Sequence, residues 1–294
     1  MNDKKKEPLF HIVKRDALPW YQSVGIRAIA IVLALIVCAV VTMILTGTNP
    51  IQVFQSIIAG AFGSARKTWI TFQNIAILLL ISLALTPAFK MKFWNIGGEG
   101  QVLIGGLASA ACMICLAEKL PAALVVVCMI VTSIAAGAFW AFIPAFFKAK
   151  WNTNETLSTL MMNYIATQLV AFFTIVWEVP KGSGKIGIIN QNSNVGWLPQ
   201  AFGSKYLLSI LVAVLITVFM YIYLKYSKHG YEISVVGESE NTAKYVGIKV
   251  EKVIMRTMAL SGAVCGLVGL LLVGGINHTI TTTIAGGQGF TAVM

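Results

Sequence analysis

Long apolar runs separated by short polar connections organise this chain. The runs near 24–45, 68–89, 97–117, 120–147, 155–178, 206–225 and 253–276 each approach or exceed the roughly 20 residues that a helix needs to cross a bilayer. The pattern predicts an all-α, polytopic transmembrane bundle of about seven or eight crossings. Between the first two runs, residues 50–63 are apolar but too short to span, and they predict a short surface helix opened by Pro50. Residues 1–20 read as a polar, basic tail and residues 21–294 as one transmembrane domain, with longer polar connections at 179–204 and 225–252. The last stretch, Gly286-Gly-Gln-Gly-Phe-Thr-Ala-Val-Met294, has the character of another apolar helix just beginning, so the bundle is expected to be C-terminally incomplete.

A few polar residues fall inside the apolar runs. Phe93-Trp-Asn-Ile-Gly-Gly-Glu-Gly-Gln-Val-Leu-Ile-Gly-Gly106 sets one carboxylate, Glu99, among Gly97, Gly98, Gly100, Gly105 and Gly106. A charge at a membrane helix centre costs about 2.5–3.5 kcal/mol on insertion scales, so it is kept where it faces protein or a wet pathway. The glycines let a second backbone or a ligand approach closely. In the fifth run Glu155, Thr159, Asn163 and Thr167 recur every four residues, forming a polar stripe on an apolar cylinder. Two readings stay open for that stripe: hydrogen bonding between helices, worth about 0.6 kcal/mol on average in membranes, or one wall of a path for a polar solute. Glu99 and Glu155 both fall near the inner ends of their runs.

The last run carries Gly262 and Gly266, a G-x-x-x-G face that predicts close helix packing. The 225–252 connection contains Gly237-Glu-Ser-Glu-Asn-Thr-Ala-Lys-Tyr-Val-Gly247, a short helix signature. Ser239 or Glu238 is placed to cap its start, acids fill its first turn, and Gly247 follows its end. Such a helix offers a handle to a cytoplasmic machine. The 179–204 connection, with Pro180, Trp197 and Pro199, has the length to dock a soluble partner or to be an idle loop.

Composition agrees with a membrane: 57% apolar and 11% charged residues, against about 25% charged in a soluble domain. With the N-terminus inside, the inner segments hold Lys4, Lys5, Lys6, Lys14, Arg15, Lys90, Lys92, Lys148, Lys150, Lys225, Lys228, Lys244, Lys249, Lys252 and Arg256, fifteen cations. The outer segments hold six: Arg66, Lys67, Lys119, Lys181, Lys185 and Lys205. That bias places the N-terminus in the cytoplasm of a multi-pass protein, so the net charge of +11 is topological and does not imply a nucleic-acid partner. Cys112 and Cys115 form a C-x-x-C inside an apolar run and read as packing, since a redox pair belongs at a soluble helix start.

Two stretches approach a nucleotide-binding loop and fail. Gly60 to Thr68 has Arg66 where glycine must precede the lysine, and Val179 to Ile186 lacks both the first glycine and the closing Ser/Thr. Neither a bound cofactor nor ATP hydrolysis is expected of this chain. An ion-coupled secondary carrier or facilitator for a small polar solute is the alternative, but His11, His229 and His278 make no proton relay, and Glu99 and Glu155 are the only candidate acids.

Four blocks carry a family resemblance. Phe93 to Gln101 resembles the F-N-I-G-x-E-G-Q signature of bacterial ABC-importer permeases in the branched-chain amino acid, ribose and simple-sugar superfamily. Asn154-Glu-Thr-Leu-Ser-Thr-Leu-Met-Met-Asn-Tyr-Ile-Ala166 is similar to a stretch typical of its nucleoside and simple-sugar branch. Val236 to Ile248 resembles the cytoplasmic V-G-x-N-x-x-A-A-x-x-x-G-I loop, and Gly287 to Ala292 a late G-x-G-F-x-A element. The sequence departs from the pattern at Trp94, where phenylalanine is usual, and at Glu238-Ser-Glu240.

The resemblance implies an importer subunit in a bacterial cell membrane that works by alternating access. It implies a second permease subunit, identical or not, two ABC ATPase subunits carrying ATP-Mg, and an extracytoplasmic binding protein or lipoprotein, all among membrane lipids. Asn95, Glu99, Gln101, Thr159, Asn163 and Tyr164 are then the expected pathway residues. Gly237, Glu238, Ser239, Glu240, Asn241, Ala243, Tyr245 and Gly247 are the expected ATPase-coupling segment. The expected cargo is a nucleoside first, a pentose or related sugar next, and a branched-chain amino acid third.

Overall fold

The structure, a computed structural model, describes residues 19–200 and 203–294. The N-terminal tail expected over 1–20, with its five basic residues and His11, lies almost wholly outside the described residues. Among the described residues seven helices are long and apolar enough to cross a membrane. They are α1 (Trp20–Thr46), α3 (Ala65–Lys90), α4 (Gly98–Leu116), α5 (Ala122–Trp151), α6 (Glu155–Val176), α7 (Leu207–Tyr226) and α10 (Val250–Leu270), which runs on into a π-helical turn over Leu271–Asn277. Each apolar run read from the sequence is one of these helices.

The chain divides into two compact units at Lys67/Thr68. The first holds α1 and the short helix α2 (Pro50–Phe62). Asn49 caps α2 by accepting the Ile51 N–H at 3.0 Å. Pro50 takes the first helical position, where a missing N–H leaves no bond unmade.

In the second unit α10 is the shaft around which α4 and α5 pack. A Cβ placed on Gly137 would come within 2.7 Å of Gly266 Cα, and one on Gly105 within 2.6 Å of the Gly266 carbonyl oxygen. Gly262 faces the Gly137 carbonyl in the same way. The G-x-x-x-G face therefore does what its spacing predicts: three backbones touch where any side chain would separate them. Around this seam the core falls into three patches. Leu103, Met113, Met129, Val170 and Leu270 fill one. Ile77, Leu80, Ile81, Leu85 and Val268 fill the second. Ala88, Ile233, Val236, Ala243 and Met258 fill the third, at the end of the unit where α3 stops and α10 starts. Lys90, Lys148 and Lys252 gather at that end, called here the basic end.

The 225–252 connection holds two helices, not the one expected. Ser227 opens α8 (Lys228–Glu238) by accepting the Gly230 N–H at 3.0 Å, and Ser239 opens α9 (Glu240–Tyr245) by accepting the Thr242 N–H at 3.2 Å. The first helix escapes a sequence reading because Lys-His-Gly-Tyr-Glu-Ile-Ser-Val-Val-Gly-Glu contains two glycines and several weak helix formers. Burial of Ile233 and Val236 against the third core patch overrides that weak propensity. At the other end of the chain, the helix expected over 286–294 is a single short turn, α11 (Gln288–Thr291).

The 177–206 connection is not an idle loop. Ile186 and Ile189 are buried, Asn190 Nδ2 donates to the Met113 carbonyl at 2.7 Å, and Leu198 N–H donates to the Gly274 carbonyl at 2.9 Å. It thereby seals the ends of α4 and α5 and the π-helical turn. Its outer tip is tied by Glu178, whose two carboxylate oxygens accept the N–H groups of Gly182 and Gly184 at 2.7 and 2.8 Å. Those bonds hold the Glu178 carboxyl below the usual carboxylate range.

Candidate functional site

Four segments meet inside the second unit around the start of α4. The chain leaves α3 at Lys90, and Met91, Phe93 and Asn95 turn inward, buried, before α4 begins at Gly98. Non-helical backbone at membrane depth is tolerated only where protein satisfies its polar groups. Here side chains do so one by one. Thr159 Oγ1 accepts the Ile96 N–H at 3.2 Å, and Asn163 Nδ2 donates to the Ile96 carbonyl at 2.9 Å. Asn95 Oδ1 accepts the Gly97 N–H at 2.9 Å, and Asn163 Oδ1 accepts the Gly100 N–H at 2.8 Å. Asn95 also receives Gln101 Nε2 at 3.2 Å and donates its own Nδ2 to Ser261 Oγ of α10 at 3.2 Å.

Glu99 completes the cluster from the other side. Its Oε1 accepts the Gly287 N–H at 2.9 Å and its Oε2 the Gly289 N–H at 2.8 Å, so the carboxylate holds the start of α11. Glu99 is buried and pairs with no cation among the described residues. Two hydrogen bonds to a charged group contribute about 1.5–3 kcal/mol each. That sum matches or exceeds the insertion cost of about 2.5–3.5 kcal/mol for a charge at mid-membrane. The carboxylate is therefore tolerated because α11 comes to it. Gly289 makes this approach possible: a Cβ there would meet the Glu99 backbone nitrogen and lie 2.6 Å from its Cα.

Glu99 and Glu155 both stand in the first turns of their helices, at the ends of the runs where the sequence places them. Glu155 does sit at the basic end, paired with Lys148 at 3.0 Å. Asn163 lies eight residues further along α6, about 12 Å at 1.5 Å per residue, and Gly100 is bonded to it. The Glu99 node therefore meets α6 about two turns along from Glu155, because residues 91–97 enter the bundle before α4 starts.

Of the six residues expected to line a pathway, Asn95, Glu99, Gln101, Thr159 and Asn163 converge in this node, each at most 8% exposed. Tyr164 does not join them; it is 63% exposed on another face of α6. The stripe on α6 is accordingly split, with Thr159 and Asn163 serving the 95–100 backbone and Glu155 serving Lys148. Sequence reasoning missed Ser261, an unremarked serine in an apolar helix. It quoted Gly287 and Gly289 only within a motif, without seeing that their N–H groups face Glu99. The node can position backbones and offer amide and carboxylate oxygens. Two carboxamide oxygens, Gln101 Oε1 and Gln288 Oε1, are buried without a partner. Among the described residues no group of His, Cys, Asp and Glu could hold a metal ion.

The coupling segment presents a second, different surface. Ala243 is fully buried while Tyr245 is 95% exposed, so α9 is anchored on one side and projects on the other. Gly237 packs directly on the Lys90 carbonyl at the end of α3, Ile248 N–H donates to the Ala243 carbonyl at 2.9 Å, and Arg256 of α10 reaches Glu232 of α8 at 2.6 Å. These contacts fasten α8 and α9 to α3 and α10.

Comparison with known proteins places this geometry in context. Residues 68–294, the second unit, match the family described as branched-chain amino acid transport system / permease component. The chain is 33% identical over 246 residues to the guanosine ABC transporter permease protein NupP of Bacillus subtilis (strain 168), covering 83% of this chain and 70% of that protein. It is 28% identical to the nucleoside ABC transporter permease protein NupB of Lactococcus lactis subsp. cremoris (strain MG1363), over 85% of this chain and 70% of the relative. It is 27% identical to the glucose ABC transporter permease protein TsgB13 of Haloferax volcanii, over 95% and 75%. No solved structure matches the chain.

Proposed function

The chain belongs to the permease-component family of branched-chain amino acid transport systems and is a multi-pass ABC importer permease subunit; on that premise we propose that its cargo is a nucleoside. The relatives named for guanosine and for nucleosides support this cargo, with a simple sugar second on the strength of the glucose permease. A secondary carrier is not favoured.

The observation that carries the importer mechanism is the fastened, outward-projecting helix α9. A machine gripping Tyr245 and its neighbours would move α10 through Ala243 and Ile248, and α3 through Gly237. Through Ser261 and Asn95, α10 leads directly to the node that sets where α4 begins. In this reading the basic end faces the cytoplasm, the N-terminus lies on the same side, and Gly237 to Gly247 couple to separate ATPase subunits that carry ATP-Mg; this chain binds no cofactor of its own. The node fixes the relative positions of α4, α6 and α11, and the open face of α6 bearing Tyr164 lines the path shared with a second permease subunit. The tyrosine ring suits stacking on a nucleobase. Alternating access follows if the outward and inward packings differ in their contacts with the solute. An extracytoplasmic receptor delivers the solute to the opposite end.

Uptake of radiolabelled guanosine by cells expressing the complete transporter tests this reading, with nucleosides and glucose as competitors. Competition by nucleosides alone is expected. Competition by glucose alone overturns the cargo. Uptake that persists when the partner ATPase is inactivated overturns the importer mechanism.

A further inference from the structure

At the basic end, α8, the 246–249 turn and the first two turns of α10 border an open-mouthed cavity of about 360 Å³, within the size range of small-ligand pockets, about 300–1,000 Å³. Its charge is one-sided. Lys228, Lys249, Lys252 and Arg256 line it, against a single carboxylate, Glu232. Glu251, in the same first turn of α10, lines the neighbouring cavity instead. Arg256 gives one N–H to Glu232, while its Nε is buried and has no partner. Helix α10 starts here with no side-chain cap on its N–H groups, and uncapped helix starts favour anions. The lysines stand exposed around the mouth, the arginine is half-buried behind them, and Val246, Ile248 and Val253 supply an apolar wall. Lys228 stands two residues past the end of α7 at Tyr226, so the mouth lies beside the end of a helix long and apolar enough to cross a membrane.

We propose that this cavity binds a phosphoryl anion at the membrane surface, the headgroup phosphate of an anionic phospholipid being the occupant that the apolar wall and interfacial position favour. Arg256 and the α10 start hold the phosphate, and the three lysines neutralise it. Glu232 competes with the anion for Arg256. Val246 and Gly247, which border the cavity, end the segment assigned to coupling, so the inference rests on that reading to the extent that this face of the segment stays open to lipid; the nature of the cargo does not enter it.

The test is titration of the assembled transporter in neutral detergent with short-chain phosphatidylglycerol, phosphatidylcholine and inorganic phosphate, read by native mass spectrometry. Phosphatidylglycerol should bind and phosphatidylcholine should not. The double variant Lys249→Gln/Lys252→Gln should weaken binding about fivefold per cation removed. Glu232→Gln should tighten it, an outcome that a merely structural ion pair would not give and that remains readable if the double variant fails to assemble. Displacement of the lipid by inorganic phosphate identifies a free-phosphate site, and resistance to displacement identifies a lipid site; both uphold the phosphoryl chemistry. Equal binding of phosphatidylcholine overturns the proposal. So does unchanged lipid affinity in the lysine variant accompanied by loss of the partner ATPase, which would assign the cations to a protein surface.

Discussion

Replacing Asn163 by leucine separates two roles for the same residue. Leucine branches at the same carbon as asparagine, so the substitution removes polar pairing, and its bulkier methyl groups add crowding against α4 that lowers stability in the same direction. Two backbone groups lose partners: the Gly100 N–H, bonded to Oδ1 at 2.8 Å, and the Ile96 carbonyl, bonded to Nδ2 at 2.9 Å. Asn163 is 4% exposed, so water cannot replace either bond. A buried backbone group left unpaired costs about 1–3 kcal/mol, whereas the average side-chain hydrogen bond in a membrane protein contributes only about 0.6 kcal/mol. The larger figure governs here because both partners are fixed backbone atoms, one in the non-helical segment before α4 and one in its uncapped first turn, and cannot turn to each other. A loss of about 3 kcal/mol is expected, and at about 2–4 °C per kcal/mol for a domain of this size the melting temperature should fall by about 6–12 °C. Thr167→Val is the matched control, since the Thr167 hydroxyl donates only to the Asn163 carbonyl of its own helix. Thermal unfolding in detergent, followed by uptake below both melting temperatures, reads the two roles apart. A variant that melts like the native protein yet fails to transport would refute the splinting role and make Asn163 a solute contact.

Gly289→Ala should expel α11 from its seat, because the new methyl would strike the Glu99 backbone and crowd its Oε2 at 2.8 Å; overpacking of about 1–3 kcal/mol plus the two lost N–H bonds should appear as early proteolysis after residue 278, and wild-type resistance would contradict the geometry. Ser239→Ala removes the α9 cap and should cost about 1 kcal/mol, lowering substrate-stimulated ATP hydrolysis in the reconstituted complex, while Tyr245→Ala should lower it with no change in melting temperature; stimulation unchanged in both variants would detach α9 from coupling. Burial and the nearby Lys205 charge hold His278 below its ordinary value, so the folded state favours the neutral ring. Stability at the 189–198/His278 junction should be complete above the ordinary histidine pKa of about 6.5 and fall as the pH drops below it, seen as faster proteolysis of the 177–206 connection in acid, with the dependence abolished in His278→Gln.

The seven spans were legible because twenty apolar residues in a row have few other uses, and the glycine face because its spacing maps directly onto one side of a helix. Asn95, Glu99, Gln101, Thr159 and Asn163 were legible as polar residues in apolar surroundings. Their partners were not, since each bonds to backbone or to residues far away in the chain. The 95–100 segment meets Thr159 and Asn163 more than sixty positions later, and Glu99 meets Gly287 after 188 positions. A stripe of period four shows that one face of α6 is special without saying that Asn163 looks inward while Tyr164, one residue on, looks away. The start of α4 was legible to within one residue, but the buried, non-helical 91–97 segment before it was not, since hydropathy does not show how a connection enters the bundle. The 179–204 connection was underread because its anchors, Ile186, Ile189 and Asn190, are too sparse to form a periodic pattern.

A single helix links the three specialised regions of the second unit. At the basic end α10 carries Arg256, ion-paired to α8, and packs against the anchored side of α9. At mid-length it presents Ser261 to Asn95 and its glycine face to α4 and α5. At its far end the π-helical turn accepts Leu198 N–H on the Gly274 carbonyl, and His278 just beyond stacks on Trp197 at 3.8 Å and accepts Ile189 N–H. The close glycine contacts leave no slack between α10 and its neighbours, since packed backbones shift as bodies and do not deform side chain by side chain. The π-helical turn is the one section of this shaft whose hydrogen-bond ladder departs from the α pattern, and such wide turns cluster at functional positions. In the proposed coupling, a displacement imposed on α10 from α8 and α9 would meet the node before the π-helical turn past Leu270, which lies between the node and the 177–206 seal. That ordering makes the node the stiff element of the unit and the π-helical turn its compliant one.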